Sequence, residues 1–115
     1  MNYIDGFVAA VPTADKQAYQ RHCQAMGAVF KKYGALAVVD CWGDDVPEGK
    51  LTSFPMAVKC EPGETVAFGW VAWPSRQVRD AAWARVMEDP RLKDQTMPFD
   101  GKRMIYGGFQ TIAQR

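Results

Sequence analysis

Apolar and polar positions along this chain alternate between two rhythms. Tyr3 to Val11 is rich in β-branched and aromatic residues and is halted by Pro12, the pattern of a strand. From Ala14 to Tyr33 the rhythm becomes helical. Tyr19, Cys23, Met26 and Phe30 recur at spacings of four, three and four and make one apolar stripe. Thr13 is placed to cap this helix, Asp15 lies in its first turn, and Lys31, Lys32 and Gly34 supply a cationic end and a stop. Ala35 to Trp42 is the second strand. Its Leu36-Ala37-Val38-Val39 segment is apolar on both faces, which predicts a central strand covered on both sides.

A polar loop follows over Asp44 to Lys50. The short run Phe54 to Cys60 reads as extra strand pairing or as an edge strand. Glu61-Pro62-Gly63-Glu64 predicts a type II turn, because proline presets φ at one central position and glycine accepts positive φ at the next. Thr65 to Trp73 is another strand. Pro74-Ser75 opens the second helix, with Ser75 as its cap. Val78, Ala82 and Val86, with Ala81, Trp83 and Met87, form the buried side; Arg76, Arg79, Asp80, Arg85 and Glu88 take the wet one. Asp89-Pro90 ends it, Arg91 to Thr96 is a polar linker, and Lys102 to Ile112 is the last strand.

The order β-α-β-(β)-β-α-β predicts an α+β domain of the ferredoxin-like βαββαβ plan, an antiparallel sheet with two helices on one face. The 115 residues suffice for one domain, 1–115, with a core that needs neither disulfide nor metal. Strand residues alternate between faces. Ile4, Gly6, Val8 and Ala10 are small and suit packing under the helices. The other face then carries Tyr3, Phe7, Trp42, Phe68, Trp70 and Tyr106, with Asp5 and Asp40 among them. That exceeds the few hundred Å² of apolar patch that a monomer normally exposes. The expected solution is a homodimer stacking two sheets face to face as a dimeric α/β barrel. A slip of one residue would send both aspartates to the opposite side.

Charge and cysteine content narrow the partners. With 14 basic and 13 acidic residues well mixed, there is no basic stripe for nucleic acid. Cys23, Cys41 and Cys60 are odd in number, lack a Cys-x-x-Cys and sit among apolar neighbours, which reads as free thiols in a reducing compartment. No leader pattern is seen, and the longest run free of polar side chains, Val66 to Pro74, falls far short of the about 20 residues that a span requires. The expectation is a cytoplasmic protein with no membrane partner. A single histidine, His22, excludes multi-histidine metal sites and reads as a flank residue of the first helix. No Gly-rich phosphate loop, nucleophile elbow or His-Asp-Ser set is present, and no cofactor and no metal are expected.

The most particular stretch is Met97-Pro98-Phe99-Asp100-Gly101-Lys102-Arg103-Met104-Ile105-Tyr106-Gly107-Gly108-Phe109. Asp100-Gly101 reads as a turn that places Lys102 and Arg103 at the entrance of the last strand, where they could neutralise Asp5, Asp40 or an anionic ligand. Glycine inside a strand marks a bulge or the close approach of another group, here a helix residue such as Trp83 or a ligand. This stretch, with Tyr3-Ile4-Asp5-Gly6-Phe7-Val8, Trp42-Gly43-Asp44-Asp45-Val46-Pro47 and Trp73-Pro74-Ser75-Arg76, resembles the YbaA-like family of small bacterial proteins of unknown function. The resemblance implies the dimeric α/β-barrel superfamily and no established activity.

Two functions are compatible with these residues. One is a homodimer that binds or transforms a small aromatic or apolar molecule, with Tyr3, Asp5, Asp40, Trp42, Trp70, Arg103 and Tyr106 as the candidate ligand-binding residues. The other is a non-catalytic homodimer or interaction protein whose aromatic sheet face is only interface.

Overall fold

The ten-residue strand β1 (Tyr3–Pro12) pairs along its whole length with β3 (Glu64–Trp73), from Tyr3 opposite Trp73 to Pro12 opposite Glu64. The computed structural model describes residues 2–93 and 96–115. β2 (Ala37–Trp42) adds to the far side of β3, and β4 (Ile105–Gln110) to the far side of β1. All pairings are antiparallel and the strand order is β2-β3-β1-β4. The fold is therefore a mixed α+β one around an open four-stranded antiparallel sheet. β2 is an edge strand, not the predicted central one. Its apolar segment is met by a helix on one side and is only half-buried on the other. An apolar run reports that neighbours exist without saying that strands flank it on both sides.

The helix α1 (Lys16–Lys32) follows a short 3-10 turn at Thr13–Asp15. Thr13 does not cap it. Its hydroxyl lies 2.6 Å from that of Thr65, and its N–H donates to the Gly63 carbonyl at 2.8 Å, which ties the helix entry to the turn before β3. Gly34 ends the helix as predicted. It sits at φ +115°, Gly34 N–H donates to Lys31 O, and Ala35 N–H donates to Phe30 O, a Schellman closure.

The run Phe54 to Cys60 is not a strand but holds the one-turn helix α2 (Phe54–Ala57). Ser53 Oγ accepts from Met56 N–H at 3.1 Å, and Pro55 occupies the first turn, where its missing N–H costs nothing. Lys59 takes the left-handed position after it, at φ +50°. The Pro62-Gly63 turn forms as expected, with Gly63 at φ +83° and Glu64 N–H donating to Glu61 O at 3.0 Å.

The helix α3 (Arg76–Val86) is capped by Ser75, whose Oγ accepts from Val78 N–H at 3.2 Å. Ala82 and Val86 are buried, but Ala81 and Met87 are exposed. The four-residue helix α4 (Pro90–Lys93) begins on Asp89, a buried carboxylate that receives the Tyr33 hydroxyl at 2.8 Å and the Arg91 N–H at 2.9 Å. The predicted linker Arg91–Thr96 falls partly on 94 and 95, outside the described residues. The last strand is shorter than predicted, because Lys102 and Arg103 belong to the preceding turn.

α1 and α3 cover one face of the sheet. Val29 and Phe30 of α1 and Ala82 and Val86 of α3 close over Val71 and Trp73. Farther along, Tyr19 closes over Ala9, Val11 and Ala67, with Trp42, Phe99 and Met104 beside them. The predicted faces are thus out of phase in β1. Tyr3, Asp5, Phe7, Ala9 and Val11 look toward the helices, as do Asp40 and Trp42. Val8 and Ala10 lie on the opposite face with Val66, under Val58. The physical reason is that β1 is apolar on both faces, so no polar face fixed its phase.

Beyond Val58, and Phe54 whose ring meets that of Phe68 edge-on at 6.2 Å, that second face is uncovered among the described residues. Phe68, Ile105 and Phe109 are exposed there, and Ile4, Val39 and Trp70 are half-buried. The cross-strand glycine pair Gly6 and Gly107 forms a shelf for the Phe109 ring; a Cβ on either glycine would sit 3.7 or 3.6 Å from that ring. Among the described residues no helix is long and apolar enough to cross a membrane.

Candidate functional site

Two carboxylates on the helix side of the sheet were singled out by sequence, and their surroundings differ. Asp5 lies in the middle of β1 and is 8% exposed. Trp73 Nε1–H donates to its Oδ2 at 2.9 Å and Trp83 Nε1–H at 3.0 Å. Arg79 from α3 donates from Nη2 to Oδ1 at 2.8 Å and from Nε to both oxygens at 3.1 and 3.2 Å. Five donor contacts satisfy the group, which is what a buried charge requires. The Arg79 guanidinium also stacks over Tyr3 at 5.3 Å. Gly108, opposite Asp5, leaves the space that Tyr3 and Arg79 use; a Cβ there would meet the Tyr3 hydroxyl and stand 2.7 Å from Arg79 Nη2. The group approaching the strand glycines is therefore Tyr3 and Arg79, with Phe109 over Gly107. This cluster joins α3 to the sheet.

Asp40 sits in the outermost strand beneath α1 and, unlike Asp5, is exposed. Its carboxylate leans over Gly69, which has no Cβ to obstruct it; a Cβ there would stand 2.8 Å from Asp40 Oδ1 and would overlap the Phe7 ring. Among the described residues Asp40 has no ion-pair partner. Its neighbour is Cys23, one helical stripe position from Tyr19. Burial raises the Asp40 carboxyl above its ordinary value, and hydrogen bonding with Cys23 draws it partly back. Burial, and then the Asp40 charge, push the Cys23 thiol up to about 12. The Tyr19 hydroxyl is raised as well, by burial first and then by Cys23. At neutral pH the thiol is therefore protonated, a hydrogen-bonding group and not a nucleophile.

Two adjoining depressions of about 400 and 490 Å³ run along the α1–β2 edge, and Cys23 and Asp40 line both. One continues past Gly27 and Lys31 to Leu36; the other past Tyr19 and Gln20 to Trp42 and Lys16. Lys16 Nζ stands 5.7 Å from the Trp42 ring centre, and the Tyr19 and Trp42 rings are 6.0 Å apart. The groove thus combines a carboxylate, aromatic walls and two cations, Lys31 at one end and Lys16 at the other. Its volume lies in the range of about 300–1,000 Å³ usual for small-ligand sites.

Of the seven residues expected at a site, Asp40 and Trp42 line this groove. Tyr3 and Asp5 belong to the Arg79 cluster. Trp70 lies on the uncovered face, and Tyr106, 79% exposed, stands on the edge strand β4 opposite Phe7. Arg103 does not neutralise either aspartate. It donates to both oxygens of Glu64 at 2.7 Å, to Asp100 at 3.0 Å and to the Lys59 carbonyl at 2.9 Å. Its partners sit at the turns before β3 and β4, so its reach is spent locally. His22 packs beside Tyr19 and Phe99, at 6.4 and 6.0 Å. Among the described residues no cluster of three or more His, Cys, Asp or Glu side chains could hold a metal ion.

Sequence reasoning placed Tyr19 and Cys23 in a core stripe and Arg79 on a wet face, and it passed over Lys16. Tyr19 and Cys23 carried a usable signal: two polar-tipped residues four apart on an apolar stripe share one helix face with whatever strand lies beneath. Arg79 carried none.

Residues 2–101 match the family described as "Protein of unknown function (DUF1428)". That segment ends inside the Met97–Phe109 stretch. The chain is 54% identical over 114 residues to the "Uncharacterized protein YbaA" of Escherichia coli (strain K12), a match that covers 97% of each chain. The protein of that name from Shigella flexneri matches to the same extent. With both matches spanning most of its length, this chain belongs to the DUF1428 family of unknown function and is a relative of bacterial YbaA proteins.

Proposed function

We propose that this protein is a cytoplasmic homodimer of the ferredoxin-like, dimeric α/β-barrel type that binds a small, partly aromatic molecule in the α1–β2 groove. One observation carries the binding reading. Asp5, Asp89, Glu64 and Asp100 are each ion-paired, whereas Asp40, exposed along the groove, has no such partner among the described residues. A carboxylate without a counter-charge, beside a thiol and two aromatic rings along one groove, is a site that a ligand's donor group would complete.

The strand order supports the fold reading. β3 lies between β1 and β2, and β1 lies between β3 and β4, which is how two interleaved βαβ units arrange their strands. The dimer reading rests on the uncovered sheet face with Phe68, Trp70, Ile105 and Phe109, a contiguous apolar surface that stacking on a second copy would remove from water. The three free cysteines suit a reducing compartment.

Native mass spectrometry of freshly isolated protein tests both parts. The expected species has twice the 12.9 kDa protomer mass and carries a retained small molecule that Asp40→Asn releases. Phe109→Asp is expected to shift the dimer to monomer in light scattering. A ligand-free monomer at all concentrations overturns the proposal. A dimer that retains nothing and binds no fragment in the groove favours the alternative, in which the sheet face is interface and nothing more.

A further inference from the structure

The direction of the groove assigns a chemical class to its ligand, an inference that rests on the binding reading above. α1 runs antiparallel to β2, so the start of the helix lies against the end of the strand. Lys16 therefore stands by Trp42, and Cys23 stands by Asp40. Lys16 and Cys23 are two helical turns apart, about 10 Å. Trp42 and Asp40 are two residues apart on the same strand face, about 7 Å. Along the groove the order is a cation, an aromatic face and a carboxylate.

We propose that this half of the groove takes a planar organic acid: its acid group on Lys16, its ring against Trp42, and a hydroxyl or amino group at the far end donating to Asp40. The spacing suits one ring with substituents at opposite ends. Orientation follows from charge. The Asp40 end repels an anionic group, and the Lys16 ammonium attracts it. Lys16 is exposed, so its share of the affinity falls with salt. Tyr19, buried beneath, holds the groove floor and fixes the Trp42 ring at 6.0 Å.

The probes are 4-hydroxybenzoate, benzoate and 4-hydroxybenzamide, titrated by calorimetry and by the Trp42 indole resonance, with the fold of each variant checked by circular dichroism. The intact protein is expected to prefer 4-hydroxybenzoate to its amide by about tenfold, the scale of one charge-assisted contact. Lys16→Gln is expected to abolish that preference without weakening the amide. Asp40→Asn is expected to abolish the advantage of the hydroxyl over benzoate. Equal binding of acid and amide, or an acid preference unchanged by Lys16→Gln, overturns the assignment. Neutral or cationic aromatics that bind at Trp42 while acids do not overturn this inference alone. If no aromatic fragment of any charge moves the Trp42 resonance, the groove reading falls with it.

Discussion

Arg103 holds Glu64 by a two-pronged contact, Nη1 to Oε1 and Nη2 to Oε2, each at 2.7 Å. Through Asp100 and the Lys59 carbonyl the same guanidinium binds three separate turns into one corner. Arg103 hydrogen bonding is the first cause that lowers the Glu64 carboxyl from 4.5 to about 2. Because the folded value is depressed, this contribution is fully present above the unfolded value near 4.5 and is lost as pH falls through about 2. Arg103→Gln is therefore expected to flatten the acid limb of the stability curve between these values. Urea titrations at a series of pH values check it; an unchanged limb would contradict the role given to this contact.

The two adjacent glycines of β4 predict opposite tolerances. A Cβ at Gly107 meets only the Phe109 ring at ordinary contact distance, whereas one at Gly108 collides with Tyr3 and Arg79. Gly107→Ala is expected to change stability by less than about 1 kcal/mol, and Gly108→Ala to cost about 2 kcal/mol by prising the Asp5 cluster apart. Thermal melts of the two variants compare them directly. Equal losses would show that the cluster does not depend on the missing Cβ.

Asp5→Ala removes the acceptor for Trp73, Trp83 and Arg79 together. Trp73 is fully buried, so its indole N–H would be left without a partner, and Arg79 would lose its main counter-charge. A loss of about 3 kcal/mol or more is expected, with Asp5→Asn intermediate because one oxygen remains. Tryptophan fluorescence and denaturant unfolding report it. A near-neutral Asp5→Ala would show that the cluster is dispensable for stability.

The Cys23 thiol, with its pKa pushed up to about 12, is expected to resist alkylation at pH 8. Asp40→Asn removes the second cause of that rise and leaves the larger one, burial, in place. The titration is then expected to move down while staying above the ordinary thiol value of 9.0. Site-resolved alkylation rates against pH measure the shift. A rise, or no change, would separate Cys23 from Asp40.

Local chemistry was legible because it depends on neighbours in the chain. Ser75 caps its helix, Gly34 ends one, and Pro62-Gly63 turns as those residue types require. Phe54 to Cys60 was misread as a strand because its apolar run is short enough to suit either element, and Ser53 and Pro55 decided for a helical turn.

Residue order by itself determined the four strands and the two long helices in sequence, the α+β class, and the presence of Asp5, Asp40 and Trp42 in strands. Tertiary structure alone decided which way those strands faced. β1 offers apolar residues to both sides, so its phase was chosen by what stood above it: Trp83 and Arg79 for Asp5, and Tyr19 for Ala9 and Val11. The same placement separated two aspartates of the same residue type. Asp5 lies under α3, whose Arg79 pairs with it. Asp40 lies at the sheet edge beneath α1, exposed and without an ion-pair partner among the described residues. Contacts between elements far apart in the chain leave no periodic trace, and they made one carboxylate a structural joint and the other the centre of a groove.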